Sequence, residues 1–163
     1  MGQDDTKHNL LFISKYPEII HEFTDAMKDR DIEIETAING IEAAAKIKKK
    51  NYDVVITGLS LEGYNGEQII TYLNKTAPST VCIIYTTTIS SAQLHFFINE
   101  RNVFRVFLRP VDFRGAFWEA LEEAYEYHAV QVKNEEDTGA RRQEQEKQER
   151  EIEIMDQRMR SQR

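Results

Sequence analysis

The chain has 163 residues, enough for one domain with a buried core and an appendage. Charged residues make up 30% and hydrophobic ones 40%, and the formal net charge is -7. Such an acidic chain repels nucleic acid and acidic membrane surfaces alike, so neither is expected as a partner.

Leaders and membrane spans are not expected either: Met1-Gly2-Gln3-Asp4-Asp5-Thr6-Lys7 has neither a basic start nor an apolar stretch, and no apolar run approaches the roughly 20 residues that cross a bilayer. A cytoplasmic location is the expectation. From there, short apolar runs alternate with segments of helical period, the pattern of parallel strands joined by crossover helices. Leu10 to Ile13 reads as the first strand, and Ile19, Ile20, Phe23 and Met27 as the stripe of the first helix. Ile32 to Thr36 is the second strand. Ile41, Ala44 and Ala45 begin a second stripe whose next place is taken by Lys48, leaving Ile47 to close it. Val54 to Thr57, Val81 to Thr86 and Phe104 to Leu108 complete five strands, several apolar on both faces, as a central parallel strand must be. Ile69, Ile70 and Leu73 mark the third helix, Leu94, Phe97 and Ile98 the fourth, and Phe113, Phe117, Ala120, Leu121 and Ala124 the fifth. Right-handed crossovers fold these units into a three-layer, doubly wound, five-stranded parallel sheet. The single cysteine, Cys82, sits in an apolar run and has no partner for a disulfide, so it reads as a buried small hydrophobe.

In an open α/β sheet, functional groups collect beyond the carboxyl ends of the strands. Here those positions are Ser14, Lys15, Gly58, Thr86 and Arg109. Around them stand Pro17-Glu18-Ile19 after the first strand, Asn39-Gly40 before the second helix, Gly63 and Gly66 after the third strand, and Arg109-Pro110 after the fifth. Taken in order, residues 8 to 128 resemble the receiver domain of two-component response regulators, which has the flavodoxin-like architecture.

The resemblance implies a phosphoacceptor pocket in which two acidic residues hold magnesium, an aspartate takes the phosphoryl group, and a hydroxyl residue and a lysine bind its oxygens. This chain departs from that pattern. Ser14 and Lys15 stand at the acidic pair and Gly58 at the aspartate, while Thr86 and Arg109 keep a hydroxyl and a cation. Formal charge in the pocket goes from about -2 to about +2. Magnesium requires carboxylate oxygens, so no metal, no other cofactor and no enzymatic phosphoryl transfer are expected. Of the acidic residues that could stand in, Asp53 begins the third strand, at the far edge from the pocket. Glu62 and Asp112 are nearer, and pairing with Lys15 or Arg109 as charge neutralisation is the expectation. The family's inward-turning aromatic residue in the fifth strand is matched by Val106, which has no ring to swing, though Phe104 and Phe107 stand beside it.

These departures resemble those of the pseudo-receivers, which implies a signalling module that acts by binding a protein, or a second copy of itself, without phosphorylation. The candidate contact face runs from the fourth to the fifth helix and carries Phe96, Phe104, Val106, Trp118 and Tyr125. Trp118 and Tyr125 are seven apart and off the buried stripe, so exposure is expected for both. The alternative is a sensor that holds a small anion or a nucleotide phosphate between the two cations. A flavin protein is the third class, but Ser14-Lys15-Tyr16-Pro17 lacks the Gly- and Thr-rich phosphate loop it would need.

After His128 the composition shifts to Gln, Glu, Arg and Lys, so residues 129–163 read as a charged tail, helical from about Ala140 and hinged at Gly139. Glu146 with Arg150 and Asp156 with Arg160 are favourable i, i+4 pairs. Ile152, Met155 and Met159 have coiled-coil spacing, but the earlier equivalents Gln148, Gln145 and Arg141 are polar. A dimerising stalk, a solvated helix and a partly disordered tail all stay open at this point. No helix-turn-helix segment follows the receiver-like part.

Overall fold

The computed structural model describes residues 7–161; Met1 to Thr6, read above as lacking a leader, lie outside the described residues, as do Gln162 and Arg163. Five strands and five helices alternate: β1 (His8–Ile13), α1 (Pro17–Met27), β2 (Ile32–Ala37), α2 (Gly40–Lys49), β3 (Val54–Thr57), α3 (Gly66–Thr76), β4 (Val81–Thr86), α4 (Ser91–Glu100), β5 (Val103–Leu108) and α5 (Ala116–Ser161). All the strands pair parallel in the order β2-β1-β3-β4-β5, the flavodoxin-like arrangement. β3 is buried at every position, which is why its sequence is a continuous apolar run rather than an alternation.

Alternate side chains of the sheet feed two cores. Leu10, Phe12, Val54, Ile56, Val81, Ile83 and Tyr85 pack against α1 and the first turns of α5, whereas Leu11, Ile13, Val55, Cys82 and Ile84 pack against α2, α3 and α4. Burial in the second core pushes the Cys82 thiol up to about 12, so it is an inert apolar filler. The helix starts are written locally. Pro17 opens α1, Asn39 caps α2 through the amide of Glu42, and α3 and α4 begin with reciprocal capping boxes, Asn65 with Gln68 and Ser90 with Gln93.

Two helical stripes differ from the sequence reading. On α2 the core side is Ala43 and Ile47, while Ala45 is exposed and Ile41 is 63% exposed. The Asn39 cap fixes the phase of the first turn, and Ile41 then lies over the loop at Gly63. On α4 only Phe97 is buried; Leu94 and Ile98 are each 40% exposed. β5 is an edge strand, so α4 has sheet beneath only one row of its side chains. Phe113 is buried as expected, but it precedes α5 rather than belonging to it.

The described chain divides after His128 into two units, the second beginning at Ala129. In the second unit, the helix expected from about Ala140 is already present at its start and passes through Gly139 without a hinge. The pair Asp156–Arg160 is made, at 3.1 Å, whereas Arg150 Nε donates to the carbonyl of Glu146 rather than to its carboxylate. Among the described residues no helix is long and apolar enough to cross a membrane.

At the amino ends of the strands, opposite the candidate cleft, a polar cluster ties α5 to the sheet. His128 Nε2 stands 3.1 Å from Asp53 Oδ1 and its Nδ1 2.9 Å from the carbonyl oxygen of Ser79. Both neighbours are acceptors, which suits an imidazolium donating from both nitrogens. Asn9 donates its backbone amide to Asp53 Oδ2 and accepts the Asp53 amide on its side chain. Tyr125 donates its hydroxyl to the Asn9 carbonyl and stacks on His8 at 4.2 Å. Burial raises the Asp53 carboxyl, but the hydrogen bonds from His128 and Asn9 and the charges of His128 and His8 outweigh it and hold the group below its ordinary value. A depressed carboxylate adds stability above its unfolded value of about 3.9, and that stability is lost as pH falls through the folded value. Asp53→Asn is therefore expected to flatten the acid limb of the stability profile, read as urea midpoints from about pH 6 down to about pH 3. An unchanged acid limb would contradict this.

Candidate functional site

The carboxyl ends of β1, β3, β4 and β5 open on a common edge of the sheet, and the loops leaving them build a cleft of about 200 Å³. Its lining brings together all five positions singled out in the sequence, Ser14, Lys15, Gly58, Thr86 and Arg109. Backbone bonds hold the rim in register: the amide of Ser14 donates to Ala37, that of Gly58 to Ile13 and that of Arg109 to Thr86. The Arg109–Pro110 peptide is cis.

Ser14 is buried, and its hydroxyl accepts the amide of Tyr16. The Thr86 hydroxyl donates to the carbonyl of Thr88 at 3.3 Å. Lys15 Nζ donates to Ser60 Oγ at 3.3 Å, and both Lys15 and Arg109 lie near the Tyr16 ring, at 5.3 and 4.8 Å from its centroid. Such cation–ring contacts favour a charge over an aromatic face. Burial raises the Tyr85 phenol, with the neighbouring Arg109 guanidinium opposing the rise.

The sequence reading did not single out Tyr16 or Ser60 as cleft residues. Their signal was adjacency alone, since each lies within two residues of a strand-end position that was chosen. One expectation fails. Neither Glu62 nor Asp112 makes an ion pair with Lys15 or Arg109 among the described residues: Asp112 accepts the amide of Arg114, Glu62 is exposed, and Lys15 turns to Ser60. Asp53 lies, as expected, at the opposite end of β3, in the cluster around His128.

Gly58 and Gly66 are different kinds of glycine. A Cβ added at Gly66 would come within 2.2 Å of the Gly58 carbonyl oxygen, so the loop after β3 closes backbone on backbone. A Cβ at Gly58 would meet nothing closer than 3.7 Å. The fold thus has room for a side chain at position 58 that the sequence leaves out.

The donor set does not suit a magnesium ion. The cleft offers hydroxyls, backbone carbonyls and two cations, with no carboxylate among the described lining residues. Across the described residues no group of three or more His, Cys, Asp and Glu is placed to hold a metal.

The candidate contact residues are only partly open. Phe96, Phe104, Val106 and Trp118 are half-buried, with Arg101 over Phe96, Arg105 over Phe104 and Arg30 over Trp118 at 4.3 to 4.6 Å. Tyr125, expected to be exposed, is 6% exposed, because its ring stacks on His8 and its hydroxyl is spent on Asn9. Val106 packs on the α2–α4 side of the sheet, whereas Phe104 and Phe107 pack on the α1–α5 side, so neither ring takes its place.

A search of curated proteins by sequence returned no match. Solved structures match closely in fold. An adenylate cyclase from Rhodopirellula baltica aligns with TM-score 0.74 and 20% identity, covering 82% of this chain and 98% of that one. A signal receiver domain of an HD domain-containing protein from Pseudomonas fluorescens gives 0.71 and 19%, covering 76% and 98%. A response regulator receiver domain protein from Methanospirillum hungatei gives 0.69 and 18%, covering 77% and 99%. At these identities the likeness establishes the fold. The family model of the response regulator receiver domain matches residues 11–114, which span β1 to the approach of α5 and include every strand-end position of the cleft. The chain therefore belongs to the response regulator receiver domain family of two-component signalling.

Proposed function

We propose that this receiver is a pseudo-receiver: a non-enzymatic, cytoplasmic signalling module that takes up no phosphoryl group and acts by phosphorylation-independent contact with a protein partner. The observation that supports it is Gly58 at the end of β3, in a cleft with no carboxylate among its described lining residues. Without a nucleophile there is no acyl phosphate, and without carboxylate oxygens there is nothing to bind a divalent ion. The stiff Val106 side chain in β5 gives no ring to relay a change in the cleft.

Contact is assigned to the face formed by α4, β5 and the start of α5. Besides half-buried Phe96, Phe104, Val106 and Trp118, that region leaves Leu94, Ile98 and Leu108 exposed. Aromatic side chains held by stacked arginines are suitable anchors. A second copy of the chain on this face is the other occupant to be tested.

Incubation with acetyl phosphate and magnesium is expected to leave the intact mass of the folded protein unchanged. A stable acyl-phosphate adduct would overturn the reading.

A second reading has its own support, because Lys15 and Arg109 have no carboxylate partner among the described residues. Two such cations beside the hydroxyls of Ser60 and Thr86 make a small oxyanion site. Phosphate is then expected to raise the melting temperature more than chloride at equal ionic strength, and Lys15→Ala should abolish the difference. Equal melting temperatures in the two salts would dispose of it.

A further inference from the structure

The second unit carries a surface that the cleft and the receiver fold do not account for. From Lys133 to Ser161 every side chain of α5 is exposed. Ile152, Met155 and Met159 are 66%, 62% and 68% exposed and recur at the three-four spacing that aligns side chains along one side of a helix. Ile154, also exposed, falls on a different side.

The charges beside the stripe are not evenly mixed. In the heptad frame set by Ile152, Met155 and Met159, the flanking positions from 144 to 156 are all acidic, Glu144, Glu149, Glu151 and Asp156, with basic Arg142 before them and Arg158 and Arg163 after them. Two parallel copies in this frame would bring Glu144 against Glu149 and Glu151 against Asp156, like charge against like at both flanks. The seam would also continue through Gln148 and Gln145 instead of apolar residues, well short of the three to four heptads that sustain a self-paired coil. The Asp156–Arg160 pair is exposed to solvent, where an ion pair is worth little and yields readily to a competing cation.

We infer that the stripe docks an amphipathic helix of a different protein, one whose apolar row is rimmed by Lys or Arg. Ile152, Met155 and Met159 supply the apolar contact, and the four acidic flanks select the partner's charge and exclude a second copy. This inference stands apart from the reading of the cleft, since it concerns other residues and holds whether or not a phosphoryl group is taken up.

Two synthetic helical peptides with the same leucine row, one rimmed by lysine and the other by glutamate, test it on the full chain by fluorescence anisotropy. The lysine-rimmed peptide is expected to bind, with an affinity that falls as salt screens the flanks, and the glutamate-rimmed one is not. Met155→Asp leaves the charge attraction in place but should weaken binding by about tenfold or more. Circular dichroism of this variant checks that the helix persists. Equal binding of both peptides, binding of neither, or binding untouched by Met155→Asp would overturn the inference. So would a dimer of the intact chain that Met155→Asp dissociates.

Discussion

Ser14→Asp, Lys15→Asp and Gly58→Asp introduced together are expected to give a cleft that acetyl phosphate labels in the presence of magnesium, where the unaltered chain is expected to stay unlabelled. This is a change from no adduct to a readily measured one by intact mass. Three carboxylates against Arg109 return the formal charge to about -2, and the cleft regains both the oxygens a hard cation requires and a nucleophile. Thr86 and Arg109, a hydroxyl and a cation, already line the same cleft. Gly58→Asp alone is expected to fold normally, given the space around its Cβ, and to stay unlabelled, its carboxylate neutralised by Lys15 and Arg109 in place of a metal. A folded triple variant that resists labelling would show that something besides these three side chains blocks the chemistry.

Phe117→Ala is expected to cost about 3–5 kcal/mol in urea unfolding, a large share of the roughly 5–15 kcal/mol that holds a domain together. Phe117 is fully buried. Its ring lies 4.6 Å from Phe107, 5.0 Å from Phe113, 6.0 Å from Phe23 and 6.2 Å from Tyr85, so it joins α5 to α1, to β4 and to the edge strand β5. Truncation would remove one hub from four aromatic contacts and leave a cavity the sheet cannot close. A loss below about 1 kcal/mol would mean that the α1–α5 core repacks far more freely than close-packed interiors do.

How far the sequence could be read depended on what each pattern reports. The strands were legible because a parallel strand covered on both faces is a continuous apolar run, and β3 is the clearest instance. The cleft was legible for a related reason: parallel strands all end at one edge, so the residues after each run must converge, as Ser14, Gly58, Thr86 and Arg109 do. Helical period reports that an apolar row exists without reporting what covers it. Ile41 on α2 and Leu94 and Ile98 on α4 fit the period and are nonetheless exposed. The partners of Lys15 were not legible, since a long flexible side chain can reach Glu62 or Ser60 from the same backbone position. Nor was the link between Asp53 and His128, which exists only once α5 has settled against the sheet. Gly139 shows the limit of a propensity argument, for a cost of about 1 kcal/mol did not break a helix whose neighbours favour it.

The link between α5 and the amino ends of the strands has a practical corollary. Tyr125 and His128 clasp Asn9 and Asp53 just before the globular unit ends, so the beginning and the close of that unit are buckled to each other by its own residues. All the residues of the buckle lie at or before His128, so exchanging whatever follows Val130 is expected to leave it in place. The unit is in that sense a portable cassette, to which different tails can be spliced and their partners compared on an unchanged scaffold.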